Sequence, residues 1–182
     1  MTASTWDFDK THSSINFSVR HLMVSKVRGQ FHDWSGTLEL DDADITKSRV
    51  AVTIQAASID TKEDKRDAHL RSPDFFEVDR YPTLAFVSTK IEKVDDDELA
   101  VYGDLTIHGI TKPVVLETEL GGITKDPWGG TRTGFSAKVA INRKEFGLHW
   151  NAALEAGGVL VGEKVEIALE IEAIRKAAAQ AA

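Results

Sequence analysis

Six histidines, a surplus of carboxylates and one basic stretch free of acids are the groups with which this chain of 182 residues could do chemistry. The histidines are His12, His21, His32, His69, His108 and His149. None belongs to an H-E-x-x-H pair or to any other short histidine pair, so no metal-binding face is written in the sequence and no metal is assigned. Cysteine is absent, which excludes thiolate metal sites, disulfides and cysteine nucleophiles. Gly134, Phe135 and Ser136 begin like a nucleophile elbow, but Ala137 and Lys138 follow inside an alternating strand pattern. In GGVLVGEK, Gly157 and Gly162 have P-loop spacing, yet Glu163 replaces the lysine that must meet the phosphates. No Ser or Thr follows Lys164, and a strand pattern follows where a helix is required. Carboxylates alternate outward along strands or sit in turns, so no catalytic pair stands out. No catalytic residue is assigned. Asn16-Phe17-Ser18 is a glycosylation sequon in letters only.

The basic stretch is FSVRHLMVSKVRGQF, Phe17 to Phe31. It holds Arg20, His21, Lys26 and Arg28 in a protein of net charge -7, and no Asp or Glu occurs from Thr11 to His32. The acidic balance argues against a sequence-independent nucleic-acid binder, which needs a basic face. Apolar residues are interleaved with the bases. The stretch reads as the mouth of a site for something both apolar and anionic, or as a solvated strand end. Arg20 falls on the polar face of its strand, and His21 shares the apolar face with Phe17 and Val19. Lys26 and Arg28 lie just past a turn, where they could rim an opening.

Those residues must be positioned by strands, because apolar-polar alternation with period two dominates the chain. The expected strands are SINFSVRHL; roughly Lys26 to Leu40, with a phase slip that suggests a bulge near His32 and Asp33; RVAVTIQAAS; TLAFVSTKI; LAVYGDLTI; PVVLETEL; GFSAKVAIN; and KVEIALEIEAI. Eight half-buried strands joined mostly by short Gly, Pro, Asp or Asn turns fit an all-β antiparallel barrel, because closure removes unpaired edges. A two-sheet sandwich is the alternative. One segment breaks the pattern: Thr61 to Pro82, a short helical crossover between strands three and four. It is capped by Asp60 or Thr61, with a second turn opened by Ser72-Pro73 that carries Phe75 and Phe76. Two adjacent aromatics in a polar crossover need burial, either as a lid over one barrel end or against the outside of the sheet. The sequence fits a single domain over 1–176, followed by an Ala-rich tail at 177–182.

MTASTWDFDK has no basic or apolar leader region, which favours the cytoplasm, and no apolar run is long enough to span a membrane.

A barrel of eight strands is either filled by side chains or just wide enough for one ligand. Ala56, Gly103 and Ala137 fall on inward faces, and small inward residues leave space. Strands of about ten residues rise roughly 33 Å, so the space would be a long tube suited to a thin apolar ligand. The candidate ligand-binding residues are Phe17, Val19, His21, Met23 and Phe31, with Arg28 at the rim. Ile54, Phe86, Val101, Ala137 and Val139 come from later strands, Phe75 and Phe76 from the crossover, and Phe146 and Trp150 from the segment before the last strand. Met23 is soft enough to adapt to a mobile chain.

HSSINFSVRHLMVSKVRGQF with the following Gly36, RDAHLRSPDFFEVDRYPTLAF, GDLTIHGITKPV, INRKEFG and GGVLVGEKVEI occur in one order from about Trp6 to Ile174. In that order and spacing the chain resembles the YceI-like family of bacterial polyisoprenoid-binding proteins. The resemblance implies an extended, lipocalin-like, eight-stranded antiparallel barrel. It also implies an elongated pocket that carries or stores a polyisoprenoid such as an isoprenoid quinone or polyprenyl phosphate. No cofactor beyond that lipid is implied, and a homodimer and a transient membrane contact stay open. Family members are often periplasmic with a cleaved leader, a pattern from which this N-terminus departs. An enzyme acting on a similar lipid, with His21, Asn142 and Arg143 near the head group, is the alternative.

Overall fold

The structure is a computed structural model and describes residues 3–178. Its strands are β1 (Ala3–Phe8), β2 (Ser14–His21), β3 (Ser25–Phe31), β4 (Trp34–Asp41), β5 (Arg49–Gln55), β6 (Ile59–Asp60), β7 (Thr83–Lys93), β8 (Glu98–Ile107), β9 (Ile110–Lys125), β10 (Thr131–Asn142) and β11 (Val161–Arg175). One α-helix, α1 (Asp64–Arg71), lies in the crossover between β6 and β7. β1 pairs with β4 on one side and with β11 on the other, which closes the circuit β1-β4-β5-β7-β8-β9-β10-β11. Every pairing is antiparallel. β2 and β3 extend the staves begun by β1 and β4. β2 pairs with β11 and β3, and β3 pairs with β6. The barrel therefore has eight staves, three of them broken in two.

The alternation places the core. In β8, Leu99, Val101, Leu105 and Ile107 are buried. In β11, Val165, Ile167, Leu169 and Ile171 face inward against the cavity while Glu166 pairs with Lys26 outside. Strand two breaks at His32–Asp33, with Phe31 and Trp34 buried on either side. The sequence reading missed β1, because ASTWDF is short and its two large apolar residues, Trp6 and Phe8, make a single repeat of the alternation. Of the two, Phe8 lines the barrel interior. Trp6 is among the most buried residues in the protein and packs with Leu38, Leu40 and Ala173. Strand three stops at Gln55, since the fully buried Ala56 opens a 3-10 turn whose N–H reaches Pro82 O.

The helical cap is also corrected. Glu63, not Asp60 or Thr61, accepts from the Lys65 and Arg66 backbone N–H groups. Thr61 is buried for another reason: its N–H and hydroxyl donate to Asp67 Oδ1 at 2.9 and 2.5 Å. Arg66 and Arg71 then donate to the carbonyls of Thr61, Ala57 and Ile59. These bonds pin α1 to the short edge formed by β6. Ser72-Pro73 opens only a turn, with Ser72 serving as the C-cap of α1. Among the Ala-rich last residues, 179–182 lie outside the described part.

At the barrel end opposite α1, Arg132 binds three carboxylates. It donates to Asp9 and Asp126 at 2.8 Å and to Glu172 at 2.5 Å. Asp9, His12 and Glu172 lie close enough together to suggest a metal group, but the guanidinium already supplies the positive charge there. Hydrogen bonds from His12 and Arg132 lower the Asp9 pKa from 3.8 to about 2. A depressed carboxylate stabilises the fold above its unfolded pKa and loses that contribution as pH falls through the folded value. The stability gap between the parent and Asp9→Asn should therefore shrink as pH drops from 3.8 to about 2, which thermal unfolding across that window will measure. A gap constant over the window would mean Asp9 is not held by these donors.

Candidate functional site

A cavity of about 260 Å³ runs inside the barrel, and its lining is mostly aliphatic and aromatic. It extends from Leu38, Leu40 and Ile45 at one end to Val19, Val139 and Val165 towards the other. Of the residues expected to line it, Phe17, Val19, Phe31, Ile54, Phe75, Phe76, Phe86, Val101, Ala137 and Val139 do so.

Five do not. His21 has the inward phase but pairs with Ser25 at the last rung of the β2–β3 hairpin, beyond the lining. Met23 stands in the turn above it, largely exposed. Arg28 has the outward phase and lies on the outer wall beside Lys138 and Glu166, so it rims no cavity mouth. Phe146 and Trp150 are packing residues of the cap: Phe146 is buried in the core, and Trp150 meets His69 edge-on and Phe75 at a tilt. Sequence reasoning missed Phe8, because its strand went unread, and Trp34, because of the phase slip beside it. It also left Val114, Leu116 and the apolar face of β11 off the site list, although their alternation was visible.

Two of the three small residues are not open space either. A Cβ on Gly103 would stand 2.3 Å from Phe86 Cζ and 2.6 Å from Val87 O. The Phe86 ring therefore fills that gap, an aromatic covering a glycine across the sheet. Ala56 is buried off the lining. Ala137 alone of the three lines the cavity.

Two layers of side chains close the α1 end. Leu70, Phe75 and Phe76 reach the cavity from α1 and the turn after it, which resolves the choice between lid and outer packing in favour of a lid. Phe76 meets Phe31 edge-on at 5.9 Å, and Phe75 lies 5.3 Å from Trp150. Behind them, the segment from Arg143 to Trp150 is held by Arg143, a residue only 3% exposed. Nε donates to Gly162 O at 2.8 Å, and Nη1 donates to Leu148 O and Trp150 O at 2.6 and 2.9 Å. Nη2 donates to Val161 O at 3.3 Å. Among the described residues no carboxylate pairs with it. Burial pushes its pKa below the ordinary arginine value, with Glu163 pulling the other way. Asn142 is likewise engaged locally, accepting from the Lys144 N–H. Arg143 and Asn142 are thus bound to the frame, and His21 lies off the lining.

Truncating the lid should release a bound chain faster. We expect Phe76→Ala to raise the dissociation rate about tenfold while capture changes far less, since affinity differences in related complexes appear mainly in off-rates. Stopped-flow displacement of a fluorescent polyprenyl probe measures both rates, and unchanged dissociation would mean the ring does not gate the cavity.

The same architecture recurs in known proteins. A YceI protein from Shigella flexneri is 39% identical over 176 residues, covering 96% of this chain and 88% of its own. The crystal structure of a Campylobacter jejuni YceI protein superposes with a TM-score of 0.75 at 34% identity, over 87% of this chain and 90% of that one. A domain from Saccharophagus degradans, described as a polyisoprenoid binding domain implicated in plant cell wall breakdown, shares the fold. Its TM-score is 0.71 at 14% identity, over 94% of this chain and 98% of its own. The model of the YceI-like domain matches residues 6–173, and with that match over nearly the whole barrel this chain belongs to the YceI-like family.

Proposed function

We propose that the barrel holds the tail of a long-chain polyisoprenoid lipid, an isoprenoid quinone or a polyprenyl phosphate, as carrier or store. The observation that supports this most is the lining itself: an interior walled overwhelmingly by aliphatic and aromatic groups, with only Asn16, Ser48, Arg49, Thr118 and Arg143 among them as polar residues. Each buried CH₂ contributes about 0.8 kcal/mol gross, so every isoprene unit adds a few. Ordering a flexible chain offsets much of that gain. A polar head drawn inside would lose its hydrogen bonds to water at a cost of roughly 2–7 kcal/mol per group. The head therefore stays at the water boundary, and the site selects for the tail more than for the head. The polyisoprenoid binding described for the Saccharophagus degradans domain agrees with this reading. Binding is favoured over catalysis because Arg143 spends its guanidinium on backbone carbonyls and the Asn142 side-chain oxygen accepts from the Lys144 N–H, although both are placed beside the head group in the enzymatic alternative.

The test is mass spectrometry of an organic extract of the purified protein, followed by incubation with the lipid it names. The reading expects a stoichiometric isoprenoid recovered unchanged. An extract empty of isoprenoid, together with no uptake of added polyprenyl lipid, would overturn it. Turnover of the lipid would favour the enzyme.

A further inference from the structure

The turn joining β2 to β3 is built against its own sequence preferences. Its central residues, Leu22 and Met23, both have positive φ, 51° and 60°, and Val24 N–H closes it on His21 O. Two positive φ values at the centre of a hairpin turn normally call for Asn-Gly or Asp-Gly. Here the positions hold large apolar side chains, and Val24 follows. Met23 and Val24 are 64% and 78% exposed. Single exposed apolar residues need no explanation, but three in succession on a left-handed turn do.

The neighbouring loop, 151–160, joins the same surface. Leu22 N–H donates to Leu160 O, Met23 Sδ lies against Gly158, and Val159 is exposed beside them. That loop carries one charge, Glu155. Below the tip stand Arg20, Lys26 and Arg28, all exposed. Lys26 is paired with Glu166 at 2.7 Å, which leaves the two arginines as cations without an ion-pair partner among the described residues. The opposite barrel end is acidic, with Asp95, Asp96, Asp97 and Glu98 in the β7–β8 turn.

We propose that this tip is a bilayer-docking surface. Leu22, Met23, Val24 and Val159 enter the boundary between head groups and acyl chains of an anionic membrane. Arg20 and Arg28 meet lipid phosphates, and the acidic end points away. Apolar groups backed by cations are the composition of an interfacial anchor, and each base near an anionic surface strengthens adsorption. The acidic β7–β8 turn at the far end is repelled by an anionic surface, which favours approach with the tip foremost. Resting on the carrier reading, the proposal also says where the cargo crosses: Val19, a lining residue, is two positions from His21 and the tip. A tail can then pass from the membrane to the cavity without traversing water.

The probes are phosphatidylcholine vesicles with and without phosphatidylglycerol, read by flotation. The parent should float with the mixed vesicles and less with the neutral ones. The triple variant Leu22→Asn, Met23→Gly, Val24→Thr supplies residues the turn prefers, so it should unfold at the same temperature as the parent or higher. It should bind the mixed vesicles at least about tenfold more weakly. Arg20→Glu with Arg28→Glu should abolish the preference for phosphatidylglycerol. The triple variant should still take up a polyprenyl lipid presented in detergent micelles, while losing uptake from vesicles. Vesicle binding by the triple variant equal to the parent's, or none by the parent, would overturn the proposal. So would a parent dimer, by light scattering, that the triple variant loses without any vesicle binding: the tip would then meet a second copy. Failure of both proteins to load from micelles would instead strike the carrier reading, and the flotation result would stand by itself.

Discussion

Replacing Ala137 with phenylalanine should abolish lipid loading while leaving the barrel folded. Ala137 lines the cavity between Leu169 and Thr118 of the adjoining staves, so its added ring enters the bore rather than a packed layer. An unfilled space accepts volume that a close-packed core does not. The ring would occupy the path that a chain must follow past the middle of β10. We expect at least a tenfold loss of polyprenyl lipid bound, measured by extraction and mass spectrometry, with the melting temperature within a few degrees of the parent. Gly103→Leu is the matching control, since both positions look alike in the sequence. There the Phe86 ring and Val87 O leave no room for even a Cβ, and overpacking of this kind costs about 3 kcal/mol or more. Gly103→Leu should therefore melt well below Ala137→Phe. Equal destabilisation by both changes would mean that the interior is solid, and the carrier reading would fall with it.

Arg143→Ala should give the largest stability loss of any single change in the cap. It removes the donors that satisfy the carbonyls of Leu148, Trp150, Val161 and Gly162 at a buried site. Leaving buried acceptors unpaired carries their full desolvation cost, and the site loses about 3–5 kcal/mol. For a chain of this size that corresponds to a fall in Tm of roughly 10 °C. Arg143→Lys should recover little, because an ammonium is a point donor and cannot span four carbonyls arranged around a planar fork. Calorimetry of the two variants checks this, and full recovery by lysine would show that charge, not geometry, holds the segment. The fold contributes the same logic at the lid, where Asp67 and Arg71 bond the backbone of Thr61, Ala57 and Ile59.

These clamps explain what could be read from the sequence and what could not. The alternation in β8 and β11 marked one face of each strand directly, because a half-buried strand repeats every two residues. Closure was legible as well, as the need to dispose of sheet edges, although β1, which achieves it, was not: Trp6 and Phe8 give one repeat of the period, too short a run to stand out. The residues that carry the family likeness, such as Asp67, Arg71, Gly103 and Arg143, turn out to serve the frame. They hydrogen-bond backbone or receive a ring, and Arg143 is the one among them that also borders the cavity. Most of the cavity wall is made of ordinary aliphatic and aromatic residues. Their type marks them as inward, and only the folded arrangement shows which side chains leave room and which fill it. Arg28 illustrates the limit, since its outward phase was readable but the curvature that carries it onto the outer wall was not.

Closure by β1 has a consequence in time. Trp6 pairs with Arg175 and Phe8 with Ala173, so the last seam joins the two ends of the described chain. Contacts between such distant residues bear the full entropy of closing the longest loop, and folds dominated by them form slowly. During synthesis the staves from β4 to β10 can hairpin in order as they emerge. The seam cannot form until β11 has left the ribosome. Up to that moment the apolar bore is an open, greasy trough, vulnerable to aggregation and to capture by chaperones. The finished tube, and anything it encloses, therefore waits on the emergence of β11.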